Sequence, residues 1–132
     1  MSKKNGQTIL AVDDVEETLD GIKALLEHDG YRVCAANDER EATDKARFDA
    51  PDLMLVSLAG EIADVIAAAS RIRGQAGFGD DLPVIIFCVG ELKEGCEVAA
   101  GRNIYLAHPD NFNQLRKFIA RLLLKFPSAA RI

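Results

Sequence analysis

A run of four consecutive apolar residues, Leu53–Val56, stands between Pro51-Asp52 and Ser57. An apolar run this short, bounded by turn-forming residues, is typical of a strand that is buried on both faces, as in a parallel sheet. Ligands of open parallel sheets bind just beyond the carboxyl ends of the strands. Ser57 is therefore expected at the floor of any site in this protein.

Two kinds of segment alternate along the rest of the chain. Short apolar runs predict strands, whereas apolar residues at helical spacing predict helices. The predicted strands are 8–12, 31–36, 51–57, 83–89 and 104–107. The predicted helices are 15–29, 38–49, 62–72, 91–100 and a last one that begins after Asn111. Because strands alternate with helices five times, we expect βαβ units and a parallel sheet covered by helices on both faces.

Capping residues mark the starts of three of these helices. An acidic or amide residue followed three positions later by Glu or Gln is a capping box. The three pairs are Asp14 with Glu17, Asp38 with Glu41, and Asn111 with Gln114. The 91–100 helix is different, because Gly95 inside it costs about 1 kcal/mol relative to alanine. This segment is predicted to be the least stable part of the fold.

Composition narrows the class of protein. A chain of 132 residues is long enough for one domain with its own core, and the net charge of −5 disfavours nucleic acid or an anionic membrane as a direct partner. The three cysteines are an odd number without a close pair, so we expect free thiols in a cytoplasmic protein. The sequence shows no signal peptide and no apolar stretch of membrane-spanning length. One domain is predicted over residues 7–126, with flexible ends at 1–6 and 127–132.

Four motifs, in order, resemble those of the receiver domains of two-component response regulators. They are Ile9–Asp14, Gly30–Val33, Pro51–Val56, and Gly101–Leu106 with His108-Pro109 shortly after it. The resemblance covers nearly the whole chain. It implies a flavodoxin-like α/β fold, a (βα)5 three-layer sandwich with a parallel five-stranded sheet of order 2-1-3-4-5. It also implies a part in phosphorelay signal transduction in bacteria.

The same resemblance identifies positions where the chain departs from the family. A working receiver takes a phosphoryl group from a histidine kinase onto an aspartate at the end of the third strand, and here that position is Ser57. Cys88 replaces the hydroxyl residue after the fourth strand, and His108 replaces the lysine after the fifth. Asp13 and Asp14 keep the acidic pair that holds the family's metal ion, although Asp14 could equally cap the first helix.

These departures predict a receiver without phosphoryl chemistry. An aspartate is ionised at neutral pH and attacks phosphorus directly, whereas a serine hydroxyl needs a base to remove its proton. His108 could be that base only if a hydrogen bond joined it to Ser57. With one carboxylate of three lost, Mg²⁺ binding is expected to be weak at best, and no cofactor is required. We therefore expect a pseudo-receiver that is not an enzyme and acts through protein–protein interaction.

The expected interaction surface follows from the resemblance as well. Tyr105 matches the family's aromatic switch position, and without a phosphate its rotamer should be fixed or set by a partner. The family forms dimers and output contacts through the face that corresponds here to Leu92–Ala99, Tyr105 and the last helix. The expected partner is a signalling protein, such as a kinase, an output domain or another receiver, and a homodimer is possible.

Two other functions deserve comparison with this one. A pocket that senses a small ligand or a transition metal such as zinc could be built from Asp13, Asp14, Cys88 and His108. In that neighbourhood His108 could also pair with one of the two carboxylates. A flavin-binding enzyme is disfavoured, because the anionic stretch 13–17 lies where such an enzyme would bind a phosphate.

Overall fold

A computed structural model describes residues 6–87, 92–109 and 111–125, and within them the chain forms six strands and four α-helices, besides one turn of 3₁₀ helix at Gly79–Asp81. In chain order these are β1 (Thr8–Asp13), α1 (Glu16–His28), β2 (Arg32–Ala36), α2 (Glu39–Phe48), β3 (Leu53–Ser57), α3 (Ile62–Gln75), β4 (Val84–Ile86), β5 (Glu97–Gly101), β6 (Ile104–Ala107) and α4 (Phe112–Lys125). None of the helices in these ranges combines the length and apolarity needed to cross a membrane.

The strands form one sheet of order β2-β1-β3-β4-β6-β5. The first five strands in this order pair in parallel, as the βαβ alternation predicts. They reproduce the predicted order 2-1-3-4-5, with β6 in the fifth place, so the flavodoxin-like fold is confirmed. The parallel arrangement places the carboxyl ends of β1, β3, β4 and β6 at one edge of the sheet.

Helices cover both faces of the sheet. On one face Ile9, Leu55 and Ile85 pack against α1 and α4, and on the other Leu10 and Met54 pack against α2 and α3. Every residue of β1 is buried, as are the four apolar residues of β3. Each such Leu, Ile or Met side chain stabilises the fold by roughly 1.5–3 kcal/mol. The short apolar run that begins at Leu53 is thus the centre of the core.

Two of the three predicted helix caps are present. The Asp38 carboxylate accepts a hydrogen bond from the Glu41 N–H at 2.8 Å, and the Asn111 side chain accepts one from the Gln114 N–H at 2.9 Å. The predicted box at the start of α1 is wrong, because the N-cap residue is Val15 and no side chain caps this end. The Asp14 carboxylate accepts a hydrogen bond from the Ala59 N–H instead.

The predicted helix at 91–100 is also wrong. Its second half forms β5, which pairs antiparallel with β6 and adds a sixth strand to the sheet. Gly95 and Gly101 have φ of 87° and 91°, a left-handed conformation that a right-handed helix cannot contain. A two-residue loop, Arg102 and Asn103, joins β5 to β6. Both loop residues have positive φ, 55° and 64°, as tight hairpin loops require.

Candidate functional site at the carboxyl edge of the sheet

The candidate site lies where β1 and β3 end side by side. Asp13 is the last residue of β1, Ser57 is the last residue of β3, and the two are direct register partners. Asp13 is only 2% exposed, whereas Ser57 is half-buried. Ser57 therefore lies at the floor of the site, as predicted from the Leu53–Val56 run, and the buried carboxyl group of Asp13 lies beside it.

Asp13 uses its two carboxylate oxygens differently. Oδ1 accepts a hydrogen bond from the Val15 N–H at 2.9 Å. Oδ2 is buried and has no hydrogen-bond partner among the described residues. Burial raises the pKa of Asp13 above its usual value; the Val15 N–H opposes this rise, and the negative charge of Asp14 adds to it. A cation at Oδ2 would supply the missing partner.

Asp14 links the two loops that border the site. Its side chain is exposed, and its Oδ2 accepts a hydrogen bond from the Ala59 N–H, just after β3, at 2.9 Å. The backbone contact near the start of α1 belongs instead to Asp13, for which no such role was predicted. Sequence reasoning missed both bonds because their donors are backbone amides, which every residue type except proline supplies.

The residues at this edge fit a magnesium ion only in part. Asp13 and Asp14 offer hard oxygen ligands, and the unpartnered Oδ2 of Asp13 is suited to a cation. Ser57 adds a neutral hydroxyl where the family resemblance implies a third carboxylate. No group of three His, Cys, Asp or Glu residues in the described ranges could hold a metal ion. The donors are those of an incomplete site.

The structure does not assemble the alternative metal-sensing pocket from the residues that it describes. His108 follows β6, and its Nδ1 lies 2.8 Å from the Leu92 carbonyl oxygen. Within the described ranges, neither a hydrogen bond nor an ion pair joins His108 to Asp13 or Asp14, so the predicted pairing is not found there. Cys88, the fourth member of the pocket, lies outside the described residues.

Tyr105 is held from both ends. Its ring meets the Phe118 ring edge-on, with 5.8 Å between the ring centroids and an angle of 81°. Its hydroxyl donates a hydrogen bond to the Asn103 Oδ1 at 3.2 Å. The Arg121 guanidinium lies over the Phe118 ring, 4.9 Å from its centroid. The same group donates a hydrogen bond to the Glu97 carboxylate at 2.7 Å. The side chain of Tyr105 is thereby connected to β5 through α4.

The predicted interaction surface includes residues 97–99 of β5 together with residues beside that strand. Leu92 packs with the core beneath α2 and α3, whereas Tyr105 and Phe118 belong to the core beneath α1 and α4. The three predicted parts of the surface are thus not on one face of the sheet. They meet along β5, whose five residues are all exposed.

Comparisons with known proteins agree with this architecture. Response regulator MprA of Mycobacterium leprae is 31% identical over 119 residues, which cover 87% of this chain and 50% of that protein. The "Uncharacterized 14.6 kDa protein in sodA1 3'region" of Leptolyngbya boryana is 29% identical over 92% of this chain and 94% of its own length. The chain spans about half the length of the MprA proteins it matches.

A solved structure shows the same fold. The receiver domain of the sensor histidine kinase PA1611 from Pseudomonas aeruginosa, described with a magnesium ion coordinated in its active site cleft, superposes with a TM-score of 0.67 at 29% identity. The match covers 88% of this chain and 96% of that one. The sequence model of the response regulator receiver domain matches residues 9–120. This chain therefore belongs to the response regulator receiver domain family of two-component signalling.

Proposed function

We propose that this receiver domain does not run a phosphoryl cycle and acts in its signalling pathway through protein–protein contacts. The observation that carries the proposal is Ser57, which ends β3 as the direct register partner of the buried Asp13. An acceptor at this place must be an anion that attacks phosphorus, and a serine hydroxyl is neutral at physiological pH.

The surroundings of Ser57 favour an inert hydroxyl. Histidine is the residue type that most often activates a serine, and His108 was the candidate from the sequence. Its Nδ1 lies against the Leu92 carbonyl oxygen, on the β5 side of the sheet and away from β3. The nearby Asp13 Oδ1 and Asp14 Oδ2 accept hydrogen bonds from the backbone amides of Val15 and Ala59, and within the described ranges neither carboxylate is hydrogen-bonded to Ser57.

The same proposal covers cofactors and partners. No cofactor is required, Mg²⁺ binds weakly, and the domain is not an enzyme. The partner is a kinase, an output domain or another receiver, in keeping with relatives described as response regulators and as the receiver domain of a hybrid histidine kinase. The place of action is the cytoplasm. Contact is made around β5, where the three parts of the predicted surface meet.

The test compares the native protein with Ser57→Asp, which restores a carboxylate at the end of β3. Both are incubated with acetyl phosphate and Mg²⁺, and the intact mass is followed. Native protein is expected to gain no phosphoryl group. In a parallel titration, Ser57→Asp is expected to bind Mg²⁺ about tenfold more tightly than native protein, because a third carboxylate joins the site.

Ser70→Asp, with the same change of charge in the middle of α3, is the matched control and should leave Mg²⁺ affinity unchanged. Stoichiometric phosphorylation of Ser57 in the native protein would refute the proposal. An equal Mg²⁺ affinity of Ser57→Asp and native protein would refute the account of the site as one that lacks a single carboxylate.

A further inference from the structure

The strand β5 lies at one end of the sheet that the described strands form. It pairs with β6 on one side, and no described strand pairs with it on the other. All five of its residues are exposed, and Val98, on the same face of the sheet as its register partner Leu106, is 44% exposed. An edge strand of this kind presents unpaired N–H and C=O groups to any second strand.

The hydrogen bonds to β6 identify which groups point outwards. The His108 N–H donates to the Cys96 carbonyl at 3.0 Å, and Glu97 is the register partner of Ala107. In an antiparallel ladder the groups of alternate residues face the same neighbour, so the Cys96 carbonyl and both backbone groups of Val98 face β6. The N–H and C=O groups of Glu97 and Ala99 therefore face away from it.

The usual devices that protect an edge are sparse in this strand. Residues 97–101 contain no proline and no lysine, and their side chains other than Glu97 are small or β-branched. The carboxylate of Glu97 is bound to Arg121 at 2.7 Å, which directs it over α4. A second strand can thus approach without meeting a bulky or freely charged side chain.

We infer that two copies of this chain pair antiparallel through β5, around a two-fold axis at Val98. In this register Glu97 of each copy lies opposite Ala99 of the other, so all four outward-facing groups of each strand form hydrogen bonds. The two Val98 residues then form a non-hydrogen-bonded pair, with Cα atoms about 4.5 Å apart, and two β-branched side chains pack together.

Neighbouring registers are less favourable. An axis at Glu97 would set two carboxylates directly opposite each other, which destabilises a sheet. An axis at Ala99 would pair Glu97 with Gly101, beyond the irregularity that separates Ala99 from Gly101 in the β5–β6 ladder. The second copy is favoured as occupant because at one register the edge complements itself in hydrogen bonds and keeps each Glu97 opposite the uncharged Ala99. The inference rests on the protein–protein contacts of the proposed function and names one partner, a second receiver bound at β5; its test does not depend on whether Ser57 is phosphorylated.

A cysteine placed on the axis tests the pairing. Val98→Cys is made in a background whose three native cysteines are alanine, and the rate of disulfide-linked dimer formation is measured under mild oxidation. The matched control is Leu124→Cys, at an 81% exposed position on α4. Val98→Cys is expected to cross-link at least about tenfold faster, because facing side chains on paired strands bring the two sulfurs together.

A charge pair at position 99 tests the register. In the Val98→Cys background, Ala99→Lys faces Glu97 of the second copy and should speed cross-linking, whereas Ala99→Glu faces a like charge and should slow it. The two rates are expected to differ about fivefold or more, since two symmetric pairs change together. Equal rates for these two variants would overturn the register. A rate for Val98→Cys no higher than for Leu124→Cys would overturn the pairing itself.

Discussion

Asp13 is the residue at which folding and ionisation are most directly coupled. Its Oδ2 is buried without a partner in the described part of the chain, and burial raises its pKa above the usual 3.8. The folded protein therefore holds the Asp13 proton more tightly than the unfolded chain does. Its contribution favours folding at low pH and is lost as the pH rises through the raised pKa. At neutral pH the ionised carboxylate is a net cost.

Asp13→Asn is expected to stabilise the protein at neutral pH by about 1 kcal/mol, because it removes a buried negative charge that has no ion-pair partner among the described residues. The asparagine keeps an oxygen for the Val15 N–H and carries no charge. The gain should shrink as the pH falls and disappear near roughly pH 3, where the native carboxyl group is protonated in both states. Urea unfolding at several pH values measures this difference.

Asp20→Asn, at an exposed position on α1, is the control for loss of one negative charge. It should change the free energy of unfolding by less than about 0.5 kcal/mol across the same pH range. If Asp13→Asn were destabilising at neutral pH, the carboxylate would have to be compensated by a favourable contact, and the coupling described here would be wrong.

The chemistry of the acidic pair could be predicted from the sequence, but the partners of each carboxylate could not. Two adjacent aspartates after a buried strand indicate a polar site at the sheet edge, and that is where Asp13 and Asp14 lie. The predicted cap of α1 by Asp14 is wrong, whereas its predicted part in metal binding stays a prediction. Asp13 bonds the Val15 N–H and Asp14 reaches the Ala59 N–H, because loop conformation decides which amide comes within reach.

At the scale of elements, one buried cation joins three segments at the end of the sheet opposite the candidate site. Arg73 on α3 is 2% exposed, and its Nη1 donates hydrogen bonds to the Leu82 carbonyl at 3.0 Å and the Arg102 carbonyl at 2.8 Å. Its Nη2 lies 3.3 Å from the Asp80 carboxylate. The guanidinium group thus connects α3 to the start of β4 and to the β5–β6 hairpin.

Arg73→Met is expected to lower the free energy of unfolding by about 2–4 kcal/mol, because two carbonyl groups lose their donor and Asp80 loses its ion pair. Arg71→Met, two residues earlier on the same helix, is the matched control. Arg71 forms an exposed ion pair with Glu39, so its loss should cost no more than about 1 kcal/mol. Thermal and urea unfolding of both variants would be compared, and equal losses would contradict the linking role of Arg73.

The β5–β6 hairpin shows why the sequence predicted some elements and not others. Strands β1, β3 and β6 are short apolar runs that fit a buried strand better than a helix. The ends predicted for them lie within two residues of the observed ends. In the 91–100 segment, Gly95 was predicted only to weaken a helix, and the strand was not recognised. Its turn depends on Arg102 adopting a positive φ of 55°, which arginine rarely does, so the residue types gave no hairpin signal.

For the whole molecule, burial predicts an uneven distribution of stability. The central strands are covered by helices on both faces, whereas β5 is exposed along its full length and is held by β6 alone among the described strands. Opening the hairpin exposes little apolar surface, but opening β3 exposes both cores. Local opening at β5 should therefore require much less free energy than global unfolding.

Native-state hydrogen exchange measures this difference directly. The Met54 N–H, which donates to the Pro83 carbonyl at 2.9 Å in the core, should exchange only through global unfolding, with a rate that rises steeply with urea. The Val98 N–H, which faces β6, should exchange at least about a hundredfold faster and almost independently of urea.

The Ala99 N–H faces outwards and should be unprotected in dilute protein, where monomers prevail. It should gain protection as the protein concentration rises and β5 strands of two copies pair. Equal protection of Met54 and Val98 would mean that the hairpin opens only when the whole domain unfolds, and the division into a rigid centre and a separately opening edge would have to be abandoned.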